Sequence, residues 1–171
     1  NCILSLGKDT IGIGTSNGII LFFAQNNQFR NVEMHFNVMR IFEDSHNELW
    51  LFSKEQRGIV RYDPLTNEQQ HYETPTQNMP KAELRSRDVI FEDNQGTLWV
   101  VPHLGCLSYY DREDKELKPY YTDYSKPESK FTPVILNFYV DNQKNFWYAN
   151  NFWMDKISFF PNASQLTTFD S

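Results

Sequence analysis

The sequence predicts an all-β repeat fold assembled from four-stranded antiparallel units, and three observations carry that prediction. Ile41-Phe42-Glu43-Asp44, Ile90-Phe91-Glu92-Asp93 and Phe138-Tyr139-Val140-Asp141 each run from apolar residues into an Asp. Each then passes through a polar turn and reaches a Trp six residues after the Asp, so Trp50, Trp99 and Trp147 recur at 49 and 48 residues. Around them the apolar pattern has period two, Leu49 and Leu51 against Trp50 and Phe52, Leu98 and Val100 against Trp99 and Val101. That is strand periodicity. An aromatic share of 16% with only 7 Gly also favours strands over long helices. Four short strands in roughly 40–50 residues make one β-propeller blade, so the chain reads as about four blades of a larger propeller.

Taken in order, the first 37 residues form a degenerate copy. Leu4 to Leu6 is the innermost strand, Ile11 to Thr15 replaces the Trp strand with Gly12 where Trp would stand, Gly18 to Phe23 is the third strand, and Asn26-Asn27 turns into the fourth. The second copy, 38–88, places strands over Val38 to Phe42, the Trp50 segment, Gly58 to Tyr62 and Gln69 to Tyr72. The third, 89–133, repeats this with Val89 to Phe91, the Trp99 segment, Gly105 to Tyr110 and Leu117 to Tyr121. The fourth, 134–171, does so with Val134 to Val140, the Trp147 segment, Lys156 to Phe160 and Gln165 to Phe169, with Pro161 to Ser164 as its last turn. Thr74 to Arg87 and Thr122 to Thr132, rich in Pro, Lys, Glu and Ser, join one blade to the next.

The repeated residues explain themselves by packing. An Asp at the start of a short hairpin turn accepts hydrogen bonds from backbone N–H groups two or three residues on, while Asn47 or Gly96 tolerates positive φ. In the third Asp turn the corresponding pair is Lys144-Asn145, where the left-handed residue can shift by one. Each Trp buries about 200 Å² of ring between blades, worth a few kcal/mol at about 25 cal/mol per Å². Asp44, Trp50, Asp93, Gly96, Trp99, Asp141 and Trp147 are therefore expected to be scaffold, because a feature repeated in every unit of a repeat protein usually is.

Bulk properties exclude several functions. A net charge of −6 without a basic tract argues against nucleic-acid binding. No apolar run approaches the length of a membrane span, and the first residues lack the pattern of a signal peptide. The chain starts in an apolar run without an initiator Met, which points to a piece of a longer protein. Cys2 and Cys106 stand at non-equivalent repeat positions and form neither a disulfide framework nor a metal-ligand pattern. No metal or cofactor is expected.

The run Phe91-Glu92-Asp93-Asn94-Gln95-Gly96-Thr97-Leu98-Trp99-Val100, together with Gly58-Ile59-Val60-Arg61-Tyr62-Asp63, resembles the two-component regulator propeller repeat. The likeness extends over the whole chain, with Gly12 for Trp and with Pro102-His103 and Asn150-Asn151 for Gly-Thr as departures. The resemblance implies the periplasmic sensor part of a hybrid two-component system of gut Bacteroidetes-type bacteria. Such sensors combine two seven-bladed propellers, a β-sandwich, a membrane helix and a cytoplasmic histidine kinase, and they respond to oligosaccharides. It implies a ligand sensor and not an enzyme. Kelch and WD patterns fit less well, and an Asp-box sialidase would need convergent arginines that Arg40, Arg57, Arg61, Arg85, Arg87 and Arg112 do not suggest.

Propeller ligands meet loops. The loops between second and third strands share one face with the blade-to-blade connections. That face collects Ser53 to Arg57, Pro102 to Leu104, Asn150 to Trp153, and Lys81, Arg85, Arg87, Tyr124, Lys126 and Lys130. Aromatic, amide and cationic side chains of this kind stack on sugars and bond their hydroxyls, so Arg57, Arg85, His103, Tyr124, Asn151 and Trp153 are the candidate ligand-binding residues. No nucleophile or carboxylate stands beside His103, and no phosphate loop is present, so no catalytic set is expected. Two alternatives remain: a propeller glycosidase or lyase, and a protein-interaction scaffold. Four blades would leave sheet edges open, so further blades or a second protomer are the expected partners.

Overall fold

In the computed structural model the described residues are 2–7, 9–53, 58–73, 89–101, 107–119, 137–143, 145–149, 154–160 and 163–169. They form four antiparallel four-stranded sheets and, among them, no helix, hence none long and apolar enough to cross a membrane. The chain divides into two compact units, Asn1–Glu73 and Thr74–Ser171.

The first unit holds two sheets. One is β1 (Ile3–Leu6), β2 (Thr10–Thr15), β3 (Gly18–Phe23) and β4 (Gln28–Glu33); the other is β5 (Arg40–Glu43), β6 (Leu49–Phe52), β7 (Ile59–Tyr62) and β8 (Gln69–Tyr72). Each sheet runs in chain order, as a meander of hairpins must. Gly12 pairs with Leu21 in β3, while Trp50 pairs with Arg61 in β7. Counting from Gly18 and Gly58, Leu21 and Arg61 are equivalent, so the register puts Gly12 at the Trp position. The two sheets share one core: Leu6, Leu21, Val38 and Ile41 pack in a cluster with Leu49, Leu51, Val60 and Tyr62. Leu49 and Leu51 are fully buried, each stabilising by about 1.5–3 kcal/mol. The N–H of Val38 donates to the Thr15 carbonyl at 2.9 Å, and that of Gly7 to Glu43 Oε2 at 2.8 Å, tying the first sheet to the second.

The second unit contains β9 (Val89–Glu92), β10 (Leu98–Val101), β11 (Ser108–Asp111) and β12 (Glu116–Pro119), then β13 (Asn137–Val140), β14 (Phe146–Ala149), β15 (Met154–Phe160) and β16 (Ala163–Phe169). The last hairpin is tighter than the sequence predicts. Ala163 and Ser164, expected in the turn, pair with Phe160 and Phe159, because extending both strands recovers ladder hydrogen bonds that a four-residue turn forgoes. β5 is displaced relative to expectation, starting at Arg40 where Val38 was expected, since Val38 uses its N–H on Thr15 of the first sheet.

Two glycines are fixed by geometry. Gly18 (φ 133°) and Gly58 (φ 101°) open the third strands of their sheets. A Cβ on either would lie 2.1 Å from the Val32 carbonyl or 2.0 Å from the Tyr72 carbonyl. The fourth strand can therefore approach only a bare α-carbon.

Candidate functional site

The repeated Asp turns share one construction. Asp44 Oδ1 accepts the N–H groups of His46 (2.9 Å) and Glu48 (3.0 Å), and Oδ2 accepts the Trp50 indole Nε1–H at 2.9 Å. Asp93 does the same with Gln95, Thr97 and Trp99, at 2.9, 2.9 and 2.8 Å. Asp141 does so with Gln143, Asn145 and Trp147, at 2.9, 2.9 and 3.0 Å, and adds the Asn145 Nδ2–H at 2.8 Å. The backbone donors stand two and four residues on, where the sequence suggested two or three. The six-residue Asp-to-Trp interval has a chemical reason that periodicity alone does not supply. The indole is the donor for the second carboxylate oxygen, so ring and anion satisfy each other, buried at Asp44 and Asp93 and part-buried at Asp141.

Asn47 (φ 61°) and Gly96 (φ 80°) occupy the left-handed position of their turns, and Asp9 (φ 59°) occupies it in the first. Lys144, the corresponding residue of the fourth sheet, lies outside the described residues. Asn145 stands in the place of Glu48 and Thr97, donating its backbone N–H to the turn Asp. Trp50 is fully buried, with Tyr72 5.8 Å away between ring centroids. Trp99 lies between Phe91 (6.5 Å) and Tyr109 (5.8 Å). Carboxylates committed in this way have their lone pairs occupied by the scaffold and are poor candidates for general acid–base work.

The six residues expected to bind ligand, Arg57, Arg85, His103, Tyr124, Asn151 and Trp153, all lie outside the described residues, as does Cys106. Cys2 is free and half-buried, and burial raises its thiol pKa. Among the described residues no group of three or more His, Cys, Asp or Glu could hold a metal ion.

The described residues instead hold a cavity at the other end of the sheets, the end of the Asp turns. It lies between the two sheets of the first unit and measures about 260 Å³. Its lining borders a paired substitution. Counting six residues back from Gly12 reaches Leu6, so the first sheet replaces the Asp–Trp pair by Leu–Gly at the same spacing. A Cβ on Gly12 would meet Leu6 Cδ1 at 3.2 Å and Ile41 Cδ1 at 3.4 Å. The loss is concerted for a physical reason: a buried carboxylate without its indole donor would be left with unsatisfied charge. Leu6, Thr10 and Leu21, the neighbours of Gly12, line the cavity, together with Gly7, Phe23, Arg30, Glu43, Asn47, Leu49, Pro64 and Leu65.

Arg30 is the unusual wall. It is half-buried, its guanidinium sits 5.8 Å from the centroid of the Phe23 ring, and Nη2 donates to the Pro64 carbonyl at 3.0 Å. Its Nε is buried with no hydrogen-bond partner among the described residues, a deficit of about 1–3 kcal/mol. No carboxylate pairs with it there. Glu43, which lines the same cavity, accepts the Gly7 N–H and pairs with no cation among the described residues. Elsewhere charges do pair, as Arg61 with Glu48, and Lys118 with Asp111 (2.7 Å) and Asp114. Sequence reasoning missed Arg30 because nothing near it forms a motif. The available signal was the simultaneous absence of Asp and Trp at positions 6 and 12.

No family profile matches the chain, and no curated protein sequence does. Solved structures match it throughout. The extracellular domain of the BT4673 hybrid two-component system of B. thetaiotaomicron is 23% identical, with a TM-score of 0.66 over 97% of this chain and 24% of that one. The extracellular domain of the BT3049 hybrid two-component system from the same organism is 19% identical, with a TM-score of 0.62 over 96% of this chain and 22% of that one. Virginiamycin B lyase from Staphylococcus aureus is 14% identical, with a TM-score of 0.66 over 99% of this chain and 54% of that one. At these identities the likeness establishes the fold: four-stranded antiparallel sheets of the propeller type. The chain spans about a quarter of the two sensor domains.

Proposed function

We propose that the chain is part of the ligand-recognition propeller of an extracytoplasmic two-component sensor, placed in the periplasm, and that it is not itself catalytic. The observation that supports this most directly is the likeness to the extracellular domains of two hybrid two-component systems over nearly the whole chain. The commitment of all three repeat carboxylates to indole and backbone donors supports the non-catalytic part. In this proposal the signal is an oligosaccharide met by the loops around Arg57, His103 and Trp153, and binding shifts the placement of neighbouring propellers. Open sheet edges would be covered by further blades or by a second protomer. Calorimetry of the intact protein against oligosaccharides of different glycan classes tests this. Saturable heat with one class is the expected result, and silence across all classes removes the sugar-sensor proposal.

The likeness to virginiamycin B lyase, at a TM-score equal to that of the BT4673 domain, supports a second proposal, a propeller lyase. Incubating purified protein with glycans and with virginiamycin B separates the two. Product formation abolished by changing a single loop residue would favour the enzyme.

A further inference from the structure

We propose that the cavity at the Gly12 site binds a small zwitterion, a molecule carrying a carboxylate and an ammonium on an apolar body, as an apolar amino acid does. This goes beyond the oligosaccharide proposal. It concerns the Asp-turn end of the first two sheets, and it stands or falls independently of any glycan response.

Three features converge on that chemistry. The cavity holds two opposite charges, Arg30 and Glu43, yet they make no ion pair with each other or with any other described residue. Opposite charges that line one small, part-buried space attract each other, so their separation leaves room for a bridging molecule of complementary polarity. Arg30 is held for that role: Nη2 is anchored on the Pro64 carbonyl and the guanidinium is seated by the Phe23 ring. With Nε buried and Nη2 anchored, the guanidinium keeps further Nη N–H donors that suit a carboxylate. Glu43, anchored by the Gly7 N–H, keeps acceptor capacity for an ammonium.

The rest of the lining is largely apolar, with Leu6, Leu21, Leu49 and Leu65. Leu65 is 93% exposed at the rim, an apolar side chain that a ligand would cover. The 260 Å³ would take roughly nine waters at about 30 Å³ each. That space suits an amino acid or a short amino-carboxylic acid. The site also explains why one repeat dispenses with its Asp–Trp pair. An indole on residue 12 would project from the sheet face that the cavity adjoins.

The test is calorimetry of the intact protein with L-leucine, L-phenylalanine and 6-aminohexanoate. N-acetyl-L-leucine, which lacks the ammonium, and L-leucinamide, which lacks the carboxylate, serve as controls. At least one zwitterion should bind saturably, each control should bind at least tenfold more weakly, and Arg30→Gln and Glu43→Gln should each cost at least tenfold. The double variant Leu6→Asp with Gly12→Trp rebuilds the repeat pair on the sheet face beside the cavity. It should abolish binding while keeping or raising the melting temperature, so lost binding cannot be mistaken for lost fold. Absence of saturable heat with all three zwitterions up to about 10 mM, a tenfold margin over a millimolar Kd, would overturn the proposal. Equal binding of N-acetyl-L-leucine, or binding that survives the rebuilt pair, would overturn it as well.

Discussion

An Asp whose two oxygens take two backbone N–H groups and an indole N–H is a buried anion made affordable by its neighbours. Its energetic weight should show as coupling. In a double-mutant cycle of Asp44→Ala and Trp50→Phe, the coupling energy is expected at about 1.5–3 kcal/mol, the range for hydrogen bonds to charged groups. Urea unfolding of the four proteins measures it, and a coupling near zero would reduce the pair to coincident packing. The same construction sets a pH dependence at Asp141. The Trp147 indole lowers its carboxyl pKa most, the Asn145 side chain and the backbone N–H groups of Asn145 and Gln143 add to this, and burial opposes it, leaving about 2. An unfolded Asp titrates near 3.9. The folded value is the lower one, so the contribution is fully present above about pH 4 and is lost as pH falls through about 2. The urea midpoint of the wild type should therefore fall more steeply between about pH 5 and about pH 2 than that of Asp141→Asn. Parallel curves would refute this assignment.

At the scale of strands and turns, the fourth strand of each of the first two sheets crosses a bare α-carbon. Gly58→Ala should destabilise by about 2–4 kcal/mol, from positive φ and from the contact with the Tyr72 carbonyl together. Gly7→Ala, whose new methyl would meet only Glu43 oxygens at 3.8 Å or more, should stay within about 0.5 kcal/mol. Thermal melts of the two variants decide it, and equal losses would mean the strand can retreat. Most of this architecture was readable beforehand. Period-two alternation and the Asp-to-Trp interval place the strands, and β3 and β8 fall where Gly18 to Phe23 and Gln69 to Tyr72 predict. Four things were not readable. The indole hydrogen bond was hidden because spacing gives an interval but not a donor. The short 161–162 connection was hidden because Ala163 and Ser164 suit a turn as well as a strand. Leu6 as the stand-in for Asp was hidden because a leucine in a strand looks like ordinary core until the register of Gly12 is known. Arg30 follows the same logic, since a fourth-strand cation gains meaning only from the space beside it.

Across the molecule, the two compact units make stability a property of neighbourhoods. In repeat proteins each unit gains from its own ladder and from the sheets it touches, so a defect weakens its neighbourhood before the whole. The cluster joining Leu6 and Leu21 to Leu49 and Tyr62 lies wholly within 1–73, whereas Asp141 and Trp147 belong to 74–171. The hydrogen bonds of Asp141 likewise stay within its own turn, inside 74–171. Hydrogen exchange of Asp141→Asn against the wild type should show faster exchange at the paired amides of β13 and β14. The amides of β2, β3, β6 and β7 should keep their protection to within about 0.5 kcal/mol, the limit for independent sites. The reverse also holds: Gly58→Ala should loosen β7 and β8 and leave β13 and β14 as they were. If either variant lowered protection evenly from β2 to β14, the chain would be unfolding as one cooperative block. The local packing of each Asp–Trp pair would then be felt everywhere, and the cavity beside Gly12 could not be filled or emptied without moving the fourth sheet.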